Sequence, residues 1–143
     1  MSLTVFITGA TSGIGKATAE FLAQHNYRLI LCGRNKEQLL NLEKYLGKQT
    51  DLITLQFDVR NKNDVFNSIE SLPEDFRNID VLINNAGNAH GLSFIQDGDT
   101  NDWDAMLDIN VKGLLYVSKA ILPKMIERNK EVLDLACVAS LNL

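Results

Sequence analysis

The sequence predicts an α/β fold in which a doubly wound parallel sheet carries helices on both faces. Short apolar runs rich in Val, Ile and Leu alternate with longer segments whose apolar residues recur at helical spacing. Gly and other turn residues close several of these runs. The 143 residues are 45% apolar and 22% charged, which is ordinary for one soluble globular domain. Strands that alternate with helices indicate βαβ units, whose parallel sheet is covered on both faces.

Five strands and five helices account for most of the chain. Apolar, β-branched runs predict strands at 3–8, 28–32, 52–57, 79–84 and 131–139. Helical spacing predicts helices at 13–24, 39–46, 61–69, 101–109 and 111–128. Gly47 is expected to end the second helix, and Pro73 to stop the third. We expect residues 1–143 to form a single domain.

Composition excludes several classes of function. There are 14 Lys and Arg against 18 Asp and Glu, a net charge of −4, and the basic residues are scattered, so no nucleic-acid surface is expected. No apolar stretch approaches the roughly 20 residues that cross a bilayer, and residues 1–8 lack the features of a signal peptide. Cys32 and Cys137 are too few and too far apart for a disulfide framework or a metal site. We therefore expect a cytoplasmic protein with reduced thiols, no bound metal and no membrane partner.

A glycine-rich turn follows the first predicted strand and opens the first helix. It reads Thr8-Gly9-Ala10-Thr11-Ser12-Gly13-Ile14-Gly15. In such a turn the first glycine allows the tight bend, the second lets the backbone approach a pyrophosphate, and the third lets the helix pack on the strand. The helix N-terminus then offers N–H groups and partial positive charge to the anion. A glycine-rich turn without a ligand is the alternative.

The end of the second strand indicates which dinucleotide the turn holds. A site for NAD places Asp or Glu there, to bind the ribose 2′-hydroxyl. This chain instead has Leu31-Cys32-Gly33-Arg34-Asn35, which contains no carboxylate. Gly33 leaves space, and the fork of Arg34 suits a 2′-phosphate. The residues favour NADP(H), with a solvated surface arginine as the alternative.

Two motifs resemble those of the short-chain dehydrogenase/reductase family. Residues 8–15 match its Thr-Gly-x-x-x-Gly-x-Gly pattern in full, and Asn84-Asn85-Ala86-Gly87 equals its Asn-Asn-Ala-Gly. The resemblance implies a Rossmann-like sheet of about five strands in the order 3-2-1-4-5, incomplete relative to the full family fold. It also implies a set of NADP(H)-binding residues. These are Thr8, Gly9, Thr11, Ser12, Gly13, Ile14, Gly15, Arg34, Asn35, Asp58, Val59, Asn84, Ala86 and Gly87.

Two further positions take roles from the same resemblance. Asp58, followed by Val59, would reach the adenine ring at the end of the third strand; its alternative is to cap the helix over 61–69. Asn110 would shape a kink and order a water in the proton relay. Its alternative is a polar residue at a helix junction.

The resemblance to the family does not extend to the family's catalytic residues. The family's general acid is a Tyr with Lys four residues later, and none of Tyr27, Tyr45 and Tyr116 has that Lys. Cys137 stands at the position of the assisting Ser, where a thiol is a weak hydrogen-bond donor. The likeness covers 3–130 and degrades from about residue 131. This predicts a truncated chain without detectable carbonyl reduction, and homo-oligomers only for a full-length form.

The resemblance leaves two functions open. One is hydride transfer between NADP(H) and a small alcohol or carbonyl substrate, since 101–125 look most like reductases that act on 3-hydroxy acids. The other is a non-catalytic NADP(H)-binding module or an inactive fragment.

Overall fold

The computed structural model describes residues 2–91 and 93–128, and the backbone of 134–136. The strands are β1 (Thr4–Ile7), β2 (Arg28–Gly33), β3 (Leu52–Gln56), β4 (Val81–Asn84) and β5 (Asp134–Ala136). The helices are α1 (Gly13–Gln24), α2 (Lys36–Leu46), α3 (Lys62–Glu70), α4 (Thr100–Leu107) and α5 (Leu114–Glu127). Strands and helices alternate as the sequence predicts. Of the last predicted strand, only 134–136 lie within the described residues.

The five strands form one parallel sheet in the order β3-β2-β1-β4-β5. The predicted fold class and strand order are therefore confirmed. The order runs one way from β1 to β3 and the other way from β1 to β5, so it reverses between β1 and β4. In an open α/β sheet, ligands bind outside the carboxyl ends of the strands at such a reversal.

Alternate residues of the central strands face opposite sides of the sheet, so two buried clusters form. Phe6 and Leu82 belong to the cluster that α3 and α5 cover, with Val65 and Val117 among its members. The residues on either side of Phe6 belong to the cluster that α1 and α2 cover. Because both faces of β1 and β2 are buried, their sequences read as continuous apolar runs rather than as alternating ones.

The path from α4 to α5 differs from the two separate helices that the sequence predicts. A six-residue π-helical segment, Asp108–Gly113, joins the two and makes the helical path continuous. Such segments widen the helix locally and are frequent at functional sites. Asn110 lies in the middle of this one.

No helix in the described part of the chain is both long enough and apolar enough to cross a membrane.

We expect Leu82→Ala to lower the free energy of unfolding by about 2–5 kcal/mol, because the change leaves a cavity in the core. Leu82 is 0% exposed and pairs with β1 on one side and β5 on the other. The matched control is Leu40→Ala on α2, where the side chain is 44% exposed and the cost should stay within about 0.5 kcal/mol. Urea unfolding followed by circular dichroism measures both. Equal losses of stability in Leu82→Ala and Leu40→Ala would contradict the position of Leu82 in the core.

Candidate functional site: a cleft at the carboxyl edge of the sheet

A cleft opens beyond the carboxyl ends of β1 to β4. It is lined by residues at or just after the carboxyl ends of these four strands, together with Ile109 of the π-helical segment. The lining consists of Gly9, Thr11, Ser12, Gly13, Ile14, Cys32, Gly33, Arg34, Phe57, Asp58, Val59, Asn85, Ala86, Gly87, Asn88 and Ile109. The cleft thus occupies the place where the strand order reverses, and the glycine-rich turn forms one of its walls.

The glycine-rich turn has the backbone that its glycines permit. Gly9 has φ +63° and Gly13 has φ +52°, which are left-handed values that favour glycine. A methyl group at Gly13 would meet nothing within 4 Å, so this stretch of backbone is open to an approaching ligand. Ser12 precedes α1 without a side-chain cap, and the first turn of α1 contains no acidic residue. The N-terminus of α1 therefore presents its positive end to the cleft.

Reciprocal hydrogen bonds between Thr8 and Asn85, here called the Thr8–Asn85 clasp, hold the turn against the end of β4. The Thr8 hydroxyl oxygen accepts from the backbone N–H of Asn85 at 3.0 Å and of Ala86 at 2.9 Å. In return, the Asn85 side-chain amide donates to the carbonyl oxygens of Thr8 at 3.1 Å and Gly9 at 3.0 Å. A side chain at Gly15 would overlap with that amide and with the Gly9 carbonyl. Gly15 therefore packs α1 against the turn and the clasp.

The end of β2 supplies a buried thiol, a glycine and an exposed cation. Cys32 is buried, and burial raises the pKa of its thiol. A side chain at Gly33 would come within 2.7 Å of the Thr11 methyl, so this glycine makes room for Thr11. The exposed Arg34 lies at the rim of the cleft. Asn35 lies outside the lining, where its side chain accepts from Gln38 N–H at 3.0 Å and caps α2.

At the end of β3, Asp58 pairs with Arg60. The Asp58 carboxylate accepts from the backbone N–H of Arg60 and from its guanidinium, with the closest contact, Oδ2 to Nη2, at 2.6 Å. Side-chain hydrogen bonds from Arg60 lower the pKa of Asp58, and the charge of Arg34 adds to the effect. The alternative in which Asp58 caps α3 is wrong, because the Asn61 side chain accepts from the N–H groups of Asn63 and Asp64. The adenine contact of Asp58 stays a prediction.

Asn110 fixes the loop after β4. Its side-chain oxygen accepts from Asn88 N–H at 3.0 Å, and its amide donates to the Asn88 carbonyl at 2.7 Å. A side chain at Gly87 would come within 2.6 Å of the Asn110 oxygen, so glycine is needed there. The buried Asn84 donates to the Ser118 hydroxyl at 3.0 Å and ties β4 to α5.

The structure therefore separates the predicted binding residues into two groups. Most of them line the cleft, from the turn, the ends of β2 and β3, and the loop after β4. Four do not, and each has a structural contact instead: Thr8, Gly15, Asn35 and Asn84. Lining residues outside the predicted set are Cys32, Gly33, Phe57, Asn85, Asn88 and Ile109. Asn88 and Ile109 gave no sequence signal of their own. Asn88 is held by Asn110, which lies 22 residues further along the chain and next to Ile109.

Among the described residues, no tyrosine lines the cleft. Tyr116 packs against the buried cluster under α5 and is absent from the cleft lining. Cys137 lies outside the described residues. Within 2–91 and 93–128, no group of three His, Cys, Asp or Glu side chains is placed to hold a metal ion.

Comparison with known proteins gives one consistent family. Residues 3–141 match the family model described as short chain dehydrogenase. The NADP-dependent 3-hydroxy acid dehydrogenase YdfG of Salmonella typhi is 42% identical over 126 residues, which are 88% of this chain and 50% of that protein. The chain thus spans about half the length of this curated relative.

Two solved structures share the fold and differ in the cofactor they hold. The closed form of serine dehydrogenase complexed with NADP+ has a TM-score of 0.85 at 38% identity, covering 92% of this chain and 53% of that one. NAD+-bound xylitol dehydrogenase has a TM-score of 0.86 at 31% identity, and the match covers 92% of this chain and 52% of that one. The sheet alone therefore does not select between the two dinucleotides.

We expect Thr8→Val to destabilise the protein by about 1–3 kcal/mol, because it leaves the backbone N–H of Ala86 without its acceptor. The Asn85 N–H loses the Thr8 hydroxyl but keeps its second acceptor, the Ile83 carbonyl at 3.1 Å. Thr8→Ser keeps the hydroxyl and serves as the matched control, with a smaller loss. Thermal and urea unfolding of the two variants give the comparison. If Thr8→Val and Thr8→Ser lowered the free energy of unfolding equally, the Thr8 hydroxyl would contribute nothing to the clasp.

Proposed function

This chain belongs to the short chain dehydrogenase family, and from that membership and the cleft we propose that it binds NADP(H). The observation that carries the proposal is that one cleft is lined both by the glycine-rich start of α1 and by the exposed Arg34 after β2. We take residues 1–143 as one nucleotide-binding domain.

The turn suits the pyrophosphate of a dinucleotide. The open backbone at Gly13 lies at the N-terminus of α1, where N–H groups and the helix dipole favour an anion. Thr11, Ser12 and Ile14 line the same wall. Ala86 and Gly87, on the opposite wall, are small enough for backbone to lie against the nicotinamide ribose.

Arg34 suits the 2′-phosphate that distinguishes NADP(H) from NAD(H). It lies at the rim of the cleft just after β2, where no carboxylate is present to bind a 2′-hydroxyl. Its guanidinium fork can donate two parallel hydrogen bonds to a phosphate. Asp58 and Val59 flank this end of the cleft, with the adenine contact assigned to Asp58.

For the whole protein we propose hydride transfer between NADP(H) and a small alcohol or carbonyl substrate. The 3-hydroxy acid dehydrogenase relative supports a 3-hydroxy acid as the substrate class. Bound NADP(H) would supply or accept the hydride, and Asn110, which fixes the loop at the β4 end of the cleft, is assigned to the proton relay. Cys137 is assigned the position of the family Ser.

A second candidate is a non-catalytic NADP(H)-binding module. The observation in its favour is that none of the three Tyr residues in these 143 has a Lys at the fourth following position. Both candidates require dinucleotide binding, and only the first requires turnover.

We expect Arg34→Ala to weaken NADPH binding about 10- to 100-fold, because a charged hydrogen bond to phosphate is lost. NADH affinity should change by less than about twofold. Lys48→Ala is the charge-matched control, since Lys48 is exposed and absent from the cleft lining. Calorimetric titration of each protein with NADPH and NADH provides the constants. Wild-type protein that binds NADH as tightly as NADPH would refute the choice of cofactor.

Purified chain of 143 residues should not oxidise NADPH in the presence of small oxo acids above a heat-treated control, because the general acid is missing from its sequence. The measurement is loss of absorbance at the reduced nicotinamide band. Clear turnover would instead require another proton donor at the cleft and would reject the binding-module candidate.

A further inference from the structure

A row of alternating charges runs from the rim of the cleft to the start of α5. It consists of Arg34, Asp58, Arg60, Asp108 and Lys112. The charge of Arg34 acts on Asp58, and that of Asp108 acts on Arg60. Four members form two close ion pairs: Asp58 Oδ2 with Arg60 Nη2 at 2.6 Å, and Asp108 Oδ1 with Lys112 Nζ at 2.7 Å. The first three members lie at the end of the cleft assigned to the 2′-phosphate.

Asp58 poses an electrostatic problem for that assignment. Its carboxylate lines the same cleft as Arg34, close enough for the two charges to interact. A phosphate bound to Arg34 would therefore lie near a negative charge of the protein. Like charges repel, and the repulsion is stronger near a protein surface than in bulk water. An unpartnered Asp58 would thus act against the ligand that Arg34 favours.

We infer that Arg60 is a positioning residue that makes the cleft selective for a 2′-phosphate by holding and neutralising Asp58. The inference rests on the proposed function. Arg60 is absent from the cleft lining, so it acts through Asp58 and not by touching the ligand.

The contacts between the two residues support this role. Asp58 Oδ1 accepts from both the backbone N–H and Nε of Arg60, each at 3.0 Å. Oδ2 accepts from Nε at 3.0 Å and from Nη2 at 2.6 Å. The carboxylate is therefore fixed in one orientation, with acceptor sites on both oxygens taken by Arg60. The backbone N–H and the guanidinium that hold the Asp58 carboxylate both belong to Arg60.

The surroundings keep this pair charged. Hydrogen bonds and charge from Asp58 raise the pKa of Arg60, and the charge of Asp108 in the π-helical segment adds to the effect. Asp108 is itself paired with Lys112. Since Arg60 lowers the pKa of Asp58, the carboxylate is ionised at neutral pH and remains paired. The Asp58–Arg60 pair therefore stabilises the fold at any pH above about 3.9, the pKa of Asp58 in the unfolded chain. This stabilisation is lost as the pH falls through the lower pKa that Asp58 has in the folded protein.

The test compares a ligand that carries a 2′-phosphate with one that lacks it. Adenosine 2′,5′-diphosphate and adenosine 5′-diphosphate are titrated calorimetrically into wild type, Arg60→Gln, Asp58→Asn and the double variant. We expect Arg60→Gln to weaken the 2′-phosphorylated ligand about tenfold, with the other ligand within about twofold. Adding Asp58→Asn should return the ratio of the two affinities to within about twofold of wild type, because the repelling charge is gone.

Three controls keep the outcome interpretable. Lys62→Gln removes a nearby exposed charge outside the row and should leave the ratio unchanged. Melting temperatures show whether each variant is folded. Nuclear magnetic resonance titration of the Asp58 carboxyl should give a higher pKa in Arg60→Gln, which checks that the pairing exists. The ratio of the two ligand affinities is the readout that a purely structural role would not move.

Two results would overturn the inference. One is an Arg60→Gln variant that weakens both ligands equally. The other is a double variant in which the ratio stays low, which would mean that Arg60 contacts the phosphate itself. Failure of the proposed function is seen separately, in a wild-type protein that does not prefer the 2′-phosphorylated ligand.

Discussion

The cleft depends on the reciprocal hydrogen bonds between Thr8 and Asn85. β1 and β4 are neighbours in the sheet but distant in sequence, and the clasp joins their carboxyl ends with four hydrogen bonds. It fixes the glycine-rich turn against the wall formed by Ala86 and Gly87. Gly15 has to be a glycine because the Asn85 amide occupies the space of its side chain. The clasp thus holds the turn, the first turn of α1 and the end of β4 in contact.

The charges around the cleft follow from the ends of the strands. α1 begins without an acidic residue, β2 ends at a glycine before Arg34, and the only carboxylate of the lining, Asp58, is held by Arg60. Among the described lining residues, the negative charge that would oppose an anion is confined to Asp58. Solved relatives with NADP+ and with NAD+ share the sheet, so the sheet alone does not discriminate between a 2′-phosphate and a 2′-hydroxyl.

The alternation of apolar runs with helical spacing predicted the fold class, and the family resemblance carried by two motifs implied the strand order and most of the cleft wall. The glycine pattern of 8–15 and the Asn-Asn-Ala-Gly of 84–87 carry their structure within a few residues of chain. Other features arise only in three dimensions. Asn35, which the resemblance placed among the cofactor-binding residues, caps α2, and Asn61 caps α3 in place of Asp58. The π-helical segment brings Asn110 to Asn88, and the spacing of apolar residues does not encode that.

The most direct test of the account is a titration of uniformly ¹⁵N-labelled chain with NADP+, followed by amide chemical shifts. The account predicts the largest shifts at Gly13 and Ile14 of the helix start, at Gly33 and Arg34 after β2, and at Gly87 on the facing wall, all with one affinity. Residues of the opposite sheet edge, such as Asp51 before β3, should not move. Shifts confined to other surfaces, or none at saturating NADP+, would contradict the assignment of this cleft as a dinucleotide site.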